Sequence, residues 1–187
     1  RKESSAASDV YKRQVRYIAL KGGRGSKKST TQSMKIIYKM MQYPLANTLV
    51  IRRVFNTHKD STWTQLKWAA NNLGVSHLWK FSKSPLEATY IPTGQKILFR
   101  GLDDPMSITS ITVEIGYLCW CWFEEAFQIT NEDDFNKVDM SIRGELPPGY
   151  FKQITLTFNP WSEKIWIKKR FFDVEDDNVL ALTSTYK

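Results

Sequence analysis

The run Tyr117–Phe123, YLCWCWF, is apolar at every position and ends in two glutamates, Glu124 and Glu125. A strand with one wet face alternates apolar and polar residues, so a strand that is apolar throughout must be covered on both faces. That requirement points to a central, mostly parallel sheet with helices on either side. The rest of the chain agrees. β-rich runs at Val15–Lys21, Thr48–Arg53 and Lys152–Asn159 alternate with helical patterns over Ser29–Tyr43, Lys59–Asn72, Glu132–Ile142 and Ser162–Phe172. Glu87–Leu102 reads as two β runs around a Pro-Thr-Gly turn, a hairpin, and a last strand is expected over Asn178–Thr185. The fold class is therefore α/β.

No internal repeat or linker interrupts the pattern, so residues 15–187 read as one domain. The first fourteen residues, RKESSAASDVYKRQ, are small and polar with no period. They read as a non-native or assembly-derived segment and are set apart from the fold. No apolar run approaches the roughly 20 residues that span a bilayer, and no secretion signal is visible. Cys119 and Cys121 sit two apart within the apolar run. On a regular strand they would face the same way, and with no His or further Cys nearby they read as buried reduced thiols. A net charge of +8 suits a polyanionic partner without demanding one.

The segment Tyr17–Ser33, YIALKGGRGSKKSTTQS, places a glycine cluster between an apolar run and a helix candidate. It almost matches the phosphate-binding loop G-x-x-x-x-G-K-[ST], with Lys27 where the second glycine belongs. Gly22, Gly23 and Gly25 let backbone N–H groups turn inward, and the following helix adds its positive end. Lys28 holds the position that reaches terminal phosphates, and Ser29 that of the Mg²⁺ hydroxyl ligand. A side chain at position 27 costs about 1 kcal/mol if φ there is positive. A solvated basic turn is the rival reading of this stretch.

An ATPase with such a loop needs an acid at the tip of a buried strand to hold Mg²⁺, and a second carboxylate to orient water. Glu124 and Glu125 sit where such residues belong, although two glutamates also commonly begin a helix. In Ile154–Trp161, ITLTFNPW, a β run ends in Thr157, Asn159 and Pro160. Asn159 is placed to feel the loss of a γ-phosphate, or simply to make a strand-ending turn.

Together KGGRGSKKST, RGLDD, CWFEEA, SIRGE and LTFNPWSEKIWIKKRFF resemble the ATPase domain of the large terminase subunit of tailed bacteriophages, in the branch found in prophages of Gram-positive hosts. The resemblance covers residues 15–187, and loops with lysine at this position occur in that branch. It implies a phosphate-loop NTPase fold and a motor, built as a homo-oligomeric ring on the portal protein. The motor threads double-stranded viral DNA into a capsid in the host cytoplasm, with the small terminase subunit as partner and no membrane. It implies ATP and Mg²⁺ as cofactors, held by Gly22, Gly23, Arg24, Gly25, Ser26, Lys27, Lys28, Ser29 and Thr30. Ser29 and Glu124 fall on the metal site, Glu125 on the catalytic glutamate, and Asn159 on the motif that couples hydrolysis to motion. Arg24 falls on an arginine that stabilises charge on the transferring phosphoryl group, with Arg143 a weaker candidate in trans. The adenine-contacting glutamine is left unassigned, because Gln14 borders the segment set apart. The family also carries a C-terminal nuclease domain, which is expected to lie outside residues 15–187.

Other features read as ordinary. Arg52 and Arg53 end a strand, either at a solvated edge or against DNA or a neighbour. The tryptophans are mostly core candidates. Lys168–Arg170 is a candidate phosphate patch on a helix face that is otherwise simply solvated. Asp103, Asp104 and Glu132–Asp134 read as loop and helix-start acids, and His58 and His77 have no partner that sequence names. Two rival functions remain: a helicase-like translocase, and a non-hydrolysing basic DNA-binding or ring-scaffold module with a decayed loop. Mg²⁺-dependent nucleotide binding separates the last from the motor.

Overall fold

The structure, a computed structural model of the chain, describes residues 14–160 and 165–184. Most of the N-terminal segment set apart above, Trp161, and the start of the expected late helix lie outside them. Eight strands form one sheet: β1 (Tyr17–Gly22), β2 (Ala46–Arg52), β3 (Trp79–Lys83), β4 (Leu86–Tyr90), β5 (Gln95–Gly101), β6 (Tyr117–Glu124), β7 (Gln153–Phe158) and β8 (Val179–Ser184). Their spatial order is β3-β4-β5-β2-β6-β7-β1-β8. From β5 to β8 every neighbouring pair is parallel. β3 and β4 are antiparallel additions at one edge. The expected hairpin is β4–β5, and β3 is a strand that sequence reading missed.

Helices cover both faces. On one side, Ile36, Ile37 and Met40 of α1 (Lys28–Gln42) and Trp63, Leu66 and Ala69 of α2 (Thr62–Asn72) pack on Val50, Phe99, Trp120 and Trp122. On the other, Phe135 and Val138 of a later helix, Glu132–Ser141, join Ile167 and Phe171 over Leu49, Ile51, Cys121, Phe123 and Leu156. Each such large side chain contributes about 1.5–3 kcal/mol of burial. Between these helices in sequence lies a short one, α3 (Pro105–Thr109), so Glu132–Ser141 is α4. The late helix closes as a π-helical turn over Lys168–Phe172.

The two cysteines do not share a face. β2 pairs Asn47 with Leu118 but Thr48 with Trp120, so Cys119 is an extra residue in a bulge. One extra residue inverts the alternation. Cys119 therefore packs under α1 and α2, while Cys121 packs on the α4 side. Both thiols are free and buried, as expected. Four tryptophans (Trp63, Trp79, Trp120 and Trp122) are core residues, but Trp68 is exposed on α2.

Candidate nucleotide-binding site

The parallel register brings four strand ends into one row. Lys21 pairs with Phe158, Thr157 with Glu124, and Ile51 with Phe123. The segments that follow β1, β7, β6 and β2 thus lie side by side along the carboxyl edge of the sheet, the edge where open α/β sheets bind ligands. In order they are the glycine loop, Asn159, the two glutamates and Arg52.

In the loop, a Cβ on Gly22 would lie 2.8 Å from Ser26 Oγ and 2.9 Å from the Ser184 carbonyl oxygen, so this position takes no side chain. Gly25 has φ of 83° and Lys27 has φ of 57° with ψ of 17°. Position 27 is thus left-handed in this chain, and its lysine carries a backbone cost of about 1–2 kcal/mol. Lys27 points to solvent at the start of α1.

Lys28 is folded back into the loop. Its ammonium lies 2.6 Å from the Gly22 carbonyl oxygen, 3.1 Å from that of Gly23, 2.7 Å from Ser26 Oγ and 3.1 Å from Asn159 Oδ1. Four acceptors share three N–H bonds. Burial lowers its pKa, and the charge of Glu124 acts against that. An entering phosphate would compete with these loop acceptors for the lysine. Ser29 Oγ donates to Glu124 Oε1 at 3.2 Å, joining the loop helix to the acid strand across 95 residues of sequence. Thr30 Oγ1 accepts from Gln65 Nε2 at 3.3 Å. Arg24 is exposed beside an open cleft of about 270 Å³, lined by Gly23 to Thr30 and Asn159.

The glutamates are held by Arg52, the main residue of this cluster that sequence reading left among ordinary features. Its guanidinium donates to Glu125 Oε2 at 2.6 Å, and its Nε lies 2.9 Å from Glu124 Oε2. The second contact is a charge pair rather than a directed bond, because neither atom has a hydrogen-bond partner. The other end of the guanidinium donates to the Thr57 carbonyl oxygen at 3.0 Å and Ser61 Oγ at 2.9 Å. Gln128 also donates to Glu125 Oε2, at 2.9 Å. Burial raises the Glu124 pKa, Arg52 opposes that, and Glu125 adds to it. Glu125 is itself left-handed, with φ of 52°. Among the described residues, the only non-glycine positions with positive φ are Lys27 and Glu125, both in this row. Strained backbone of this kind collects at functional sites.

Ser29 and Glu124 offer oxygen ligands only, and Glu124 Oε2 is buried with no hydrogen bond. No cluster of three or more acidic, His or Cys side chains able to hold a metal occurs among the described residues. That donor set fits Mg²⁺, which binds through one or two protein oxygens and completes its shell with water and substrate phosphate. It does not suit a metal that needs a full protein cage.

Several candidates lie elsewhere. Arg143 pairs with Asp139 at 3.0 Å, and Asp139 also takes Arg16 and Tyr17 from the start of β1. That cluster sits at the amino edge of the sheet, opposite the row. Arg170 is not part of a phosphate patch: it donates to Glu132 and Asn136 and lies 4.7 Å above the Phe135 ring. Asp103 accepts from the Phe55 N–H and Asp104 caps α3. His58 is buried between Thr62 and the Arg100 carbonyl, and burial pushes its pKa down to about 4. Gln14 is exposed, as is Arg53.

A parallel sheet whose glycine loop opens a helix, with one strand inserted between the loop strand and the acid strand, defines a phosphate-loop NTPase fold. The chain belongs to the phage terminase large subunit family, whose model matches residues 14–187. It is 45% identical over 159 residues to the large terminase subunit of Bacillus phage SPP1, covering 84% of this chain and 37% of that one. It also superposes on the large terminase of a thermophilic bacteriophage with a TM-score of 0.70 at 17% identity, covering 90% of this chain and 40% of that one. The same terminase in complex with ATP-γ-S matches with a TM-score of 0.62 at 18% identity, over 91% of this chain and 40% of that one. At these identities the structural likeness shows the fold. The chain spans little more than a third of the SPP1 protein.

Proposed function

We propose that residues 15–187 are the Mg²⁺-dependent ATPase motor domain of a viral large terminase, coupling ATP hydrolysis to movement of double-stranded DNA into a procapsid. The observation that carries this reading is the contact between Ser29 and Glu124. It joins the two halves of a nucleotide site that sequence separates. Lys28 exchanges its loop acceptors for terminal phosphates, and the loop N–H groups surround the same charge. Ser29 and Glu124 would hold Mg²⁺, which neutralises charge on the β- and γ-phosphates when bound. Glu125 orients and polarises the attacking water once its carboxylate turns from Arg52. Asn159 shares Lys28 with the loop, so a change at the γ-phosphate is felt at the end of β7. Arg24 borders the cleft, from which it stabilises charge on the transferring phosphoryl group.

The partners of this motor are duplex DNA, a portal protein, the small terminase subunit and further copies of the chain in a ring, all in the host cytoplasm. Like the terminase of the thermophilic phage, which forms a complex with ATP-γ-S, it binds ATP analogues. The test is ATP turnover at high protein concentration with Mg²⁺, for the wild type and Glu125→Gln, with nucleotide binding followed in parallel. Turnover in the wild type, and binding without turnover in the variant, is the expected result. Failure of the wild type to bind ATP with Mg²⁺ would favour a non-hydrolysing scaffold instead.

A further inference from the structure

Charge is divided unevenly along the chain. Residues 14–100, which build β1 to β5 with α1 and α2, carry fifteen Lys and Arg against two acids, Asp60 and Glu87. The described residues beyond 100 carry six against fourteen. In that second part most cations are taken: Lys137 pairs with Asp134, Arg143 with Asp139, Lys168 with Asp173 and Arg170 with Glu132. In the first part, Arg16 and Arg52 reach acids of the second. The only other ion pair there, among the described residues, is Lys96 with Glu87. The basic part thus carries surplus charge that the fold does not balance.

That surplus has a focus where α2 meets β3. The ammonium of Lys67, one turn after Trp63 on α2, lies 5.4 Å from the centroid of the Trp63 ring. The ammonium of Lys83, at the end of β3, lies 5.3 Å from the same ring. Trp63 is 5% exposed, donates its Nε1–H to the Ser82 carbonyl oxygen at 3.0 Å and meets the Phe81 ring edge-on at 5.8 Å. The core therefore fixes the ring, and the attraction of each ammonium for it gathers both charges at one place. Lys67 and Lys83 are exposed, and neither makes an ion pair among the described residues. Asp60, exposed beside Lys59, makes none either. Two like charges gathered on one ring repel, and an anionic chain laid across them relieves that repulsion.

Contacts between proteins are depleted in lysine, whereas nucleic-acid interfaces are strongly positive and send half or more of their hydrogen bonds to phosphate and sugar. The Trp63 ring is too enclosed to stack on a base, so the mode that grips single strands is closed to it. We propose that Lys67 and Lys83, set in place by Trp63, contact the backbone phosphates of duplex DNA without regard to sequence. The inference rests on the reading of the chain as part of a DNA motor, and adds where on the domain the duplex is held. The place suits that work. Ser61 stands directly before α2, and its hydroxyl accepts from Arg52, the residue that holds Glu124 and Glu125. The helix that carries Lys67 thus starts at the anchor of the acid pair.

The test is fluorescence anisotropy of a short labelled blunt duplex, in two unrelated sequences, titrated with the chain between about 50 and 200 mM NaCl. Each phosphate contact contributes about 0.9 to the slope of log K against log salt, so Lys67→Gln/Lys83→Gln should flatten the slope by about 1.8 for both sequences. Lys67→Arg/Lys83→Arg keeps both charges and should leave the slope unchanged. Lys168→Gln/Lys169→Gln removes the same net charge from the α4 side and should also leave it unchanged. Thermal melting checks the fold of each variant; if the Lys67→Gln/Lys83→Gln chain does not fold, Lys83→Gln alone decides, with a flattening of about 0.9. A wild type that binds no duplex at the lowest salt overturns the proposal. So does a slope that the Lys67→Gln/Lys83→Gln pair leaves unchanged, or that the Lys168→Gln/Lys169→Gln pair flattens equally. If sedimentation shows that Lys67→Gln/Lys83→Gln loses self-association and keeps duplex binding, the surface meets a second copy and the proposal falls. Binding of ATP-γ-S with Mg²⁺ is followed in the same proteins. Intact nucleotide binding without a DNA effect overturns this surface alone, whereas a wild type that binds no nucleotide overturns the motor reading.

Discussion

Removing the guanidinium of Arg52 tests the electrostatics of the row. Arg52→Met keeps a long side chain for packing but leaves Glu124 and Glu125 adjacent without their cation. Arg52 is 9% exposed and touches both acids at 2.9 and 2.6 Å. Stripping the partner from a buried charge costs about 3–5 kcal/mol. That range is discounted here, because the Glu125 side chain is 36% exposed and rehydrates readily, leaving the 14% exposed Glu124 as the main cost. The expected loss is about 2–3 kcal/mol at pH 8, a fall of roughly 5–10 °C in melting temperature for a chain of this size. The sign of its pH dependence is fixed. Burial already holds the Glu124 pKa above its unfolded value, and the variant loses a contribution that lowered it. Stability tied to the protonated carboxyl is full below the unfolded value near 4.5 and is lost as pH rises through the raised folded value. The difference between wild type and variant therefore grows from pH 5 to pH 8. Chemical denaturation at the two pH values measures it. Equal destabilisation at both, or none at pH 8, would refute the assignment of Arg52 as the counter-charge.

Lys27→Gly relieves a left-handed lysine and loosens the unfolded chain, a net stabilisation of about 0.5–1 kcal/mol, read as a rise in melting temperature. A fall would mean that the lysine side chain contributes to the loop. Asp139→Asn removes the charge that Arg16, Tyr17 and Arg143 share and costs about 2–4 kcal/mol by denaturant titration. Burial alone would raise the pKa of Asp139, but those hydrogen bonds outweigh it and hold the carboxyl below its ordinary value. Its contribution is therefore present above the unfolded value near 3.8 and lost as pH falls through the lower folded one. Nucleotide affinity should not change, because the cluster lies at the opposite edge of the sheet. Burial raises the Cys119 thiol to about 11 and holds that of Cys121 well above its ordinary value, so neither should react with a thiol reagent at pH 8 until the protein unfolds.

The parallel core was legible because β6 is apolar on both faces, and the loop and its lysine because their residues are contiguous. Glu124 and Glu125 were legible for a similar reason, since a buried strand delivers its polar tip to the carboxyl edge. Arg52 was not. Its role depends on β2 lying next to β6, and pairing between strands so far apart in the chain leaves no local mark. The one available signal was a charged residue closing a strand as apolar as TLVI. The cysteine alternation failed at a bulge, which one strand alone does not reveal. Arg170 looked like part of a basic patch because its acid and aromatic partners come from α4 and β1, which sequence does not place beside it.

If the loop and the acid strand form one Mg²⁺-nucleotide site, Lys28 and Glu124 must act on the same bound nucleotide. Calorimetric titration of ATP-γ-S into the wild type, Lys28→Ala and Glu124→Gln, each with Mg²⁺ and with EDTA, measures it. The expected result is Mg²⁺-dependent binding in the wild type, near-complete loss in Lys28→Ala, and binding in Glu124→Gln that no longer responds to Mg²⁺. Binding equally tight in EDTA, or untouched by Lys28→Ala, would contradict it.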